Sequence, residues 1–306
     1  MVRPAKDTDY GFVKDLWLKC FDDDKEFVDW NFRCNYSSAN TLIADFNNTP
    51  SSAMQLQPYT LRLFDKNICC RYVSGVSTLP KFRGKGLVRS LFTYALPYMY
   101  KTECVLSVLF PEVKGMYEKF GYRIIGERTE YISDDFGLGV NQISDELFER
   151  LDKIYVREMS NKNLYVSRGR FDWERILTDL TVISKGRAVF DENGYKLAYP
   201  NPKNAHNYII EEICGADPKG LALRPALPLM LRITNLYEFM KICAPHLPFN
   251  KTYTVVDGFI PQNNVSLHVL NGTVTYADET GIKTDIGELC AEIFKYIPDK
   301  FINLLF

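Results

Sequence analysis

Four basic residues, Lys81, Arg83, Lys85 and Arg89, and no acidic one fall between positions 81 and 89, around the run Arg83-Gly84-Lys85-Gly86. The apolar stretch before it (72–79) reads as a strand. After it Leu87, Val88, Leu91, Phe92, Ala95 and Leu96 recur at helical spacing. A turn between a strand and a helix N-terminus aims successive backbone N–H groups and the positive end of the helix dipole at one point. Glycines there let an anion approach the backbone closely. The chemistry is that of an anion site, a pyrophosphate in particular, although the same residues also suit a solvated basic turn. The spacing is neither GxxxxGK[ST] nor GxGxxG, which disfavours P-loop and dinucleotide readings.

A second candidate is Tyr117, in Gly115-Met-Tyr-Glu-Lys-Phe-Gly-Tyr122. A phenol with a pKa of about 10 can protonate a departing thiolate whose own pKa is near 8–9. The chain has 19 tyrosines, so a packing role is the competing reading. The acidic stretch Asp22-Asp23-Asp24-Lys25-Glu26 could attract a cationic substrate, or be a solvated link and N-cap between two helices. The eight cysteines are scattered without a CxxC, and His206, His246 and His268 lie far apart, so no metal site is expected.

These groups need a scaffold. Apolar residues at helical spacing predict a helix over Phe12–Phe21 and another from Phe27 to Cys34. Short β-rich runs follow at 41–46, 52–56 and 59–64, then the strand, glycine loop and helix described above. Pro97 is expected to kink or end that helix. A buried strand at 103–110, a short helix over 113–120 closed by Gly121, and a strand at 122–131 complete an α/β core of mixed sheet type. Beyond it, helices are expected at 142–157 and 171–180, and a hairpin at 187–199 around Glu192-Asn193-Gly194. A strand from Met230, a helix at 236–244, a meander between 252 and 276, and a helix at 285–296 close the chain. The fold class is α+β.

At 306 residues the chain has room for two or three domains. Its 37 Lys and Arg against 38 Asp and Glu leave a net charge of −1, unlike a nucleic-acid coat, so no nucleic-acid partner is expected. No apolar run approaches the ~18 residues of a membrane span, and the N-terminus has no apolar signal segment. A cytoplasmic protein with reduced thiols and no membrane partner is expected.

Residues 72–122 resemble the cofactor-binding half of the Gcn5-related N-acetyltransferases. Val73-Ser-Gly-Val-Ser-Thr-Leu-Pro-Lys-Phe-Arg-Gly-Lys-Gly-Leu-Val-Arg89 is similar to their R-x-x-G-x-G/A loop at Arg83 and Gly86, with Val88 at the last position instead of Gly or Ala. Leu109-Phe-Pro-Glu-Val-Lys-Gly-Met-Tyr-Glu-Lys-Phe-Gly-Tyr122 resembles the enhanced-intracellular-survival acetyltransferases, where that position is commonly bulky. The helical start (16–30) and Leu229-Met-Leu-Arg-Ile-Thr-Asn-Leu-Tyr-Glu-Phe239 are similar to the same group.

The resemblance implies three parts: an acetyltransferase domain at 1–132, a truncated second acetyltransferase-like domain at 133–228, and a sterol-carrier-like α+β domain at 229–306. It implies acetyl-CoA as co-substrate, with Val76, Ser77 and Thr78 pairing with the pantetheine arm. Arg83, Gly84, Lys85, Gly86, Leu87, Val88 and Arg89 would hold the pyrophosphate, and Phe110 would flank the cofactor. Tyr117 would be the general acid and the C-terminal carboxylate of Phe306 the general base. Asp23, Asp24, Glu26 and Trp30 are the candidates for contact with the acceptor, a small-molecule or peptide amine: an aminoglycoside, polyamine, peptide lysine or amine metabolite. Symmetric homo-oligomers are a further implication. A non-catalytic protein that binds coenzyme A or another small ligand with the same fold is the alternative.

Overall fold

The computed structural model describes residues 1–113, 115–134, 139–204, 206–225 and 227–304. The chain runs β1 (Val2–Pro4), α1 (Tyr10–Cys20), α2 (Lys25–Cys34), β2 (Thr41–Phe46), β3 (Thr49–Leu63), β4 (Lys66–Thr78), α3 (Leu87–Lys101), β5 (Leu106–Leu109) and β6 (Arg123–Arg128). Next come β7 (Tyr131–Ser133), α4 (Asp145–Met159), β8 (Leu164–Val166), α5 (Arg170–Leu177) continuing as a π-helical segment (Thr178–Ile183), β9 (Arg187–Phe190), β10 (Tyr195–Pro200), β11 (Tyr208–Cys214) and β12 (Ala222–Leu223). Last are β13 (Leu227–Ile233), α6 (Leu236–Cys243), β14 (Lys251–Val256), β15 (Ser266–Leu270), β16 (Thr273–Tyr276), β17 (Ile282–Asp285), α7 (Ile286–Phe294) and β18 (Lys300–Phe301).

The first sheet is ordered β1-β2-β3-β4-β5-β13-β6, with β8 on β3 and β18 on β8. Alternation along its strands sorts the helices. Leu42, Ala44 and Met54 pack with α3, while Ile43 and Ala53 pack with α1 and α2 on the other face. The two strands expected at 52–56 and 59–64 are one strand, β3. Pro58 falls between the stretch of β3 that pairs with β2 and the stretch that pairs with β8, where only β4 flanks it. A missing N–H is tolerated at such a one-sided position. Pro97 does not end α3, which runs on to Lys101 with Leu91, Phe92, Ala95, Leu96 and Met99 buried beneath it. Packing of that face outweighs the lost backbone bond.

Two further expectations change. The helix over 113–120 shrinks to a 3₁₀ turn at Glu118–Phe120, closed by Gly121 at φ +83°. The strand at 122–131 divides: β6 stays in the first sheet, and β7 joins a second, antiparallel sheet ordered β12-β7-β11-β10-β9. The strand at 230–233, expected to open the third domain, instead lies in the first sheet between β5 and β6. A boundary at 228/229 therefore cuts through β13. The four-stranded sheet β16-β15-β14-β17 and α6 and α7 follow it and pack on the buried side of β5 and β13.

A fully buried ion pair ties these parts together. Arg232 of β13 donates both Nη2 contacts to the Asp257 carboxylate at 2.7 Å, and its Nη1 to the Phe120 carbonyl. A Cβ on Gly121 would meet Arg232 Nη1 at 2.0 Å, so the turn that follows Tyr117 requires glycine for close approach as well as for its positive φ. All eight cysteines are free thiols, five of them buried.

Candidate functional site

β4 and β5 run parallel but pair only through Cys70–Leu106, Arg71–Ser107 and Tyr72–Val108. Beyond Tyr72 the strands part, and Val73–Thr78 has β3 on one side and a cavity of about 540 Å³ on the other. A bulge helps to open it. β3 advances two residues from Ala53 to Gln55 while β4 spends three between Ser77 and Ser74, and Gly75 takes φ +58°. A Cβ there would strike the Trp17 ring at 2.6 Å, so the glycine also lets α1 close against the bend. The bulge was not foreseen in the sequence, although a glycine within a β-rich run is the signal for one.

Val76, Ser77 and Thr78 line this cavity with Arg83, Val88, Phe110 and Tyr117. Gly84 and Gly86 take φ +74° and +77°, and nothing lies within 4 Å of a Cβ built on either. The first α-helical bond of α3 is Ser90 N–H to the Gly86 carbonyl. The N–H groups of Leu87, Val88 and Arg89 therefore precede the helical ladder. Lys81, Arg83, Lys85 and Arg89 are exposed around the loop, while the Leu87 side chain is buried under α3. Arg83 reaches back along β4 to donate Nε to the Thr78 carbonyl at 3.3 Å.

Tyr117 is 6% exposed and packs edge-on to Phe92 and Tyr122. Burial, with Glu112 nearby, pushes its phenol up to about 12, so it stays protonated and able to donate near neutral pH.

The acidic stretch divides. Asp23 lines the cavity, and its carboxylate accepts the Trp17 indole N–H at 2.8 Å. Asp24 is the exposed N-cap residue of α2 and Glu26 sits exposed in its first turn. Trp30 is buried in the core beside Phe27. The structure does not bring Asp24, Glu26 or Trp30 to the cavity wall, because α2 points its first turn outward and buries the Trp30 face; its neighbour Phe27 reaches a cavity instead.

That second cavity, about 300 Å³, shares Tyr72, Phe110 and Glu112 with the first. Its other walls are Arg128, Asp179, Ser184, Tyr199, Glu211, Leu227 and Leu304. Sequence reasoning missed these residues, since Asp179, Tyr199 and Glu211 stand on three separate elements. Burial, with Glu211 nearby, raises the Asp179 carboxyl to about 7. Burial also pushes Glu211 up, against the pull of Arg128, whose Nη1 lies 3.7 Å from it.

Next door on β11, Glu212 faces the opposite way. Arg168 grips it with two 2.7 Å bonds, Tyr195 donates to it at 2.6 Å, and Asn303 Nδ2 at 2.8 Å. Arg168 also donates to the Asn303 carbonyl at 3.1 Å, and Asn303 Nδ2 to the Glu211 carbonyl at 2.9 Å. With β18 paired to β8, this clamp buries Ile302, Asn303 and Leu304. Phe306 lies outside the described residues.

An unpaired strand edge, a glycine loop at a helix N-terminus and a buried phenol meet around one cavity. Residues 1–125 match the acetyltransferase (GNAT) domain family. No curated protein sequence matches. A GCN5-related N-acetyltransferase from Anabaena variabilis superposes with TM-score 0.73 at 14% identity, over 95% of this chain and 89% of its own. A conserved protein and probable N-acyltransferase from Enterococcus faecalis gives TM-score 0.75 at 15% identity, over 95% and 88%. Eis1 from Mycobacterium abscessus gives 0.71 at 14% identity over the full length of both chains. The chain has the GNAT acetyltransferase fold. No helix is long and apolar enough to cross a membrane, among the described residues.

Proposed function

We propose that this protein is an acetyl-CoA-dependent N-acetyltransferase acting on a primary amine. One observation carries the reading: two cavities meet at Tyr72, Phe110 and Glu112, one bordered by a free strand edge and an anion loop, the other by carboxylates. The amides of the pantetheine arm would be satisfied by Val76, Ser77 and Thr78, as an added strand. The loop amides of residues 84–89, with Arg83, Lys85 and Arg89, would hold the pyrophosphate. The amine would enter from the carboxylate side, attack the thioester directly, and form an amide as the carbon–sulfur bond breaks. Tyr117 would give its proton to the departing thiolate. No cysteine is needed as a nucleophile.

The resemblance gives the proton-accepting role to the carboxylate of Phe306. The tail clamp supports this, because it holds Leu304 at the wall of the amine-side cavity. The C-terminal α+β unit would then serve to deliver the tail. The testing experiment is release of free thiol from acetyl-CoA against a panel of primary amines, with the acetylated product identified by mass. Binding of coenzyme A without release against any amine would instead favour a non-catalytic binding protein.

A further inference from the structure

The amine-side cavity contains more acid than its neighbours neutralise. Among the described residues, Arg128 is the one cation lining it, and it also donates to Glu130 at 2.5 Å besides lying near Glu211. Asp179 is 6% exposed, and its carboxylate accepts one hydrogen bond, from Ser184 Oγ at 3.1 Å. Tyr199 is 7% exposed and its hydroxyl faces the Asp179 carboxylate. Asp179 also stands on a π-helical segment, a geometry that recurs at functional sites.

We propose that Asp179 takes the first proton from the acceptor's ammonium, with Tyr199 hydrogen-bonding the carboxylate that receives it. This inference rests on the acetyltransferase reading and adds to it a proton acceptor on the π segment. The amine arrives as R–NH₃⁺. One N–H proton passes to the Asp179 carboxylate, leaving R–NH₂ and a carboxylic acid. The freed lone pair forms the carbon–nitrogen bond, and the carbon–sulfur pair leaves on the thiolate, which takes the Tyr117 proton. The nitrogen's second surplus proton leaves to solvent, from which the Tyr117 phenolate is reprotonated. Asp179 releases its proton to solvent, so one proton is produced per turnover.

The groups facing Asp179 set its behaviour. Ser184 from its own segment and Tyr199 from β10 favour the carboxylate. Burial and Glu211 from β11 oppose it, and Arg128 from β6 stands behind Glu211. α2 contributes the apolar Phe27 to this cavity. The balance holds the group at about 7, where a carboxylate is basic enough to accept a proton and still shed it each cycle. An ordinary carboxylate at about 4 is a far weaker base.

The test measures kcat/KM on total amine from pH 5.5 to 9.5, for the most active member of a panel of spermidine, kanamycin, lysine methyl ester and phenethylamine. Wild-type protein should show a plateau between about pH 7 and the pKa of the amine, because the ammonium form is used. In Asp179→Asn the plateau should give way to a rise of one log unit per pH unit, since only free amine can react. At pH 7.5 the value should fall by about 10²–10⁴-fold. Its acetyl-CoA affinity, read by calorimetry, should be unchanged. Tyr199→Phe should keep a plateau but move its lower edge to higher pH, as the carboxylate loses a donor. A plateau retained in Asp179→Asn, even at lower height, would mean a structural role and overturn the inference. If wild-type protein acetylates no amine in the panel, the acetyltransferase reading itself fails, and the variants are not needed to see it.

Discussion

The cavity at the free edge of β4 is walled by residues 72–78, Arg83, Val88, Phe110, Glu112, Tyr117 and the end of α1, and much of its chemistry is backbone: the amides of a strand edge beside a glycine loop. Across Tyr72 and Phe110, the other cavity draws a residue or two from each of α2, β6, the π segment, β10, β11, β13 and the tail, and its chemistry is carried by side chains. A cofactor with a fixed arm and a fixed diphosphate can be met by one contiguous stretch with fixed φ and ψ. An acceptor of variable shape is met by side chains that can each be exchanged without disturbing the sheet. The difference separates what the fold guarantees from what this chain has chosen.

The comparison breaks most severely at the tail clamp. Arg168→Ala leaves Glu212 buried and uncompensated, a loss of about 3–5 kcal/mol of stability. It should release residues 302–304 from β11, and urea denaturation with amide exchange on the tail reads both. Tyr117→Phe sits at the junction. It should lower kcat by roughly one to three orders of magnitude while acetyl-CoA affinity holds, as direct titration would reveal. Unchanged turnover would remove Tyr117 from the chemistry. Arg83→Glu with Lys85→Glu attacks only the cofactor side. It should weaken coenzyme A binding by roughly tenfold or more, with the loss reduced at high salt. Unaltered affinity would place the diphosphate elsewhere.

The smallest effect concerns stability against pH. The Asp179 carboxyl rises to about 7 on folding, from about 4 in an unfolded chain. Its stabilising contribution is therefore complete below about pH 4 and lost as pH rises through 7. Asp179→Asn should consequently be more stable than wild type at pH 8, with the advantage gone near pH 4. Equal thermal midpoints at both pH values would show that the carboxyl is not raised by folding. A variant that gains stability while losing its rate plateau would mark a residue kept for function at a structural cost.

The same contrast explains what could be read in advance. Arg83-Gly84-Lys85-Gly86, Val76–Thr78 and Tyr117 sit in local patterns whose geometry follows from neighbours in sequence, and the structure places Val76, Ser77, Thr78, Arg83 and Tyr117 around one cavity. Helices α1, α2, α6 and α7 and the hairpin β9–β10 were likewise visible from spacing and turn residues. Asp179, Tyr199 and Glu211 carry no such local signal, because their meeting depends on how a second sheet docks beside the first. The acidic stretch carries no such signal either: charge density at 22–26 is visible, but of these residues Asp23 alone lines the cavity, tied to Trp17. Pro58 and Pro97 gave strong local break signals that tertiary pairing and packing overrode.

The position of β13 bears on how the chain reaches this state. Among the described residues, β6 is joined to the rest of its sheet only through a strand that begins about a hundred residues later, at Leu227. Until that strand has emerged from the ribosome, β5 lacks its neighbour on one side and β6 has none on either, so the stretch that matches the acetyltransferase family is an unfinished sheet during synthesis. Closing so long a loop is slow, and unpaired edges invite association in the interval. A fragment ending near residue 132 should therefore aggregate when expressed alone, and should become soluble when residues 227–233 are supplied through a short linker after β6.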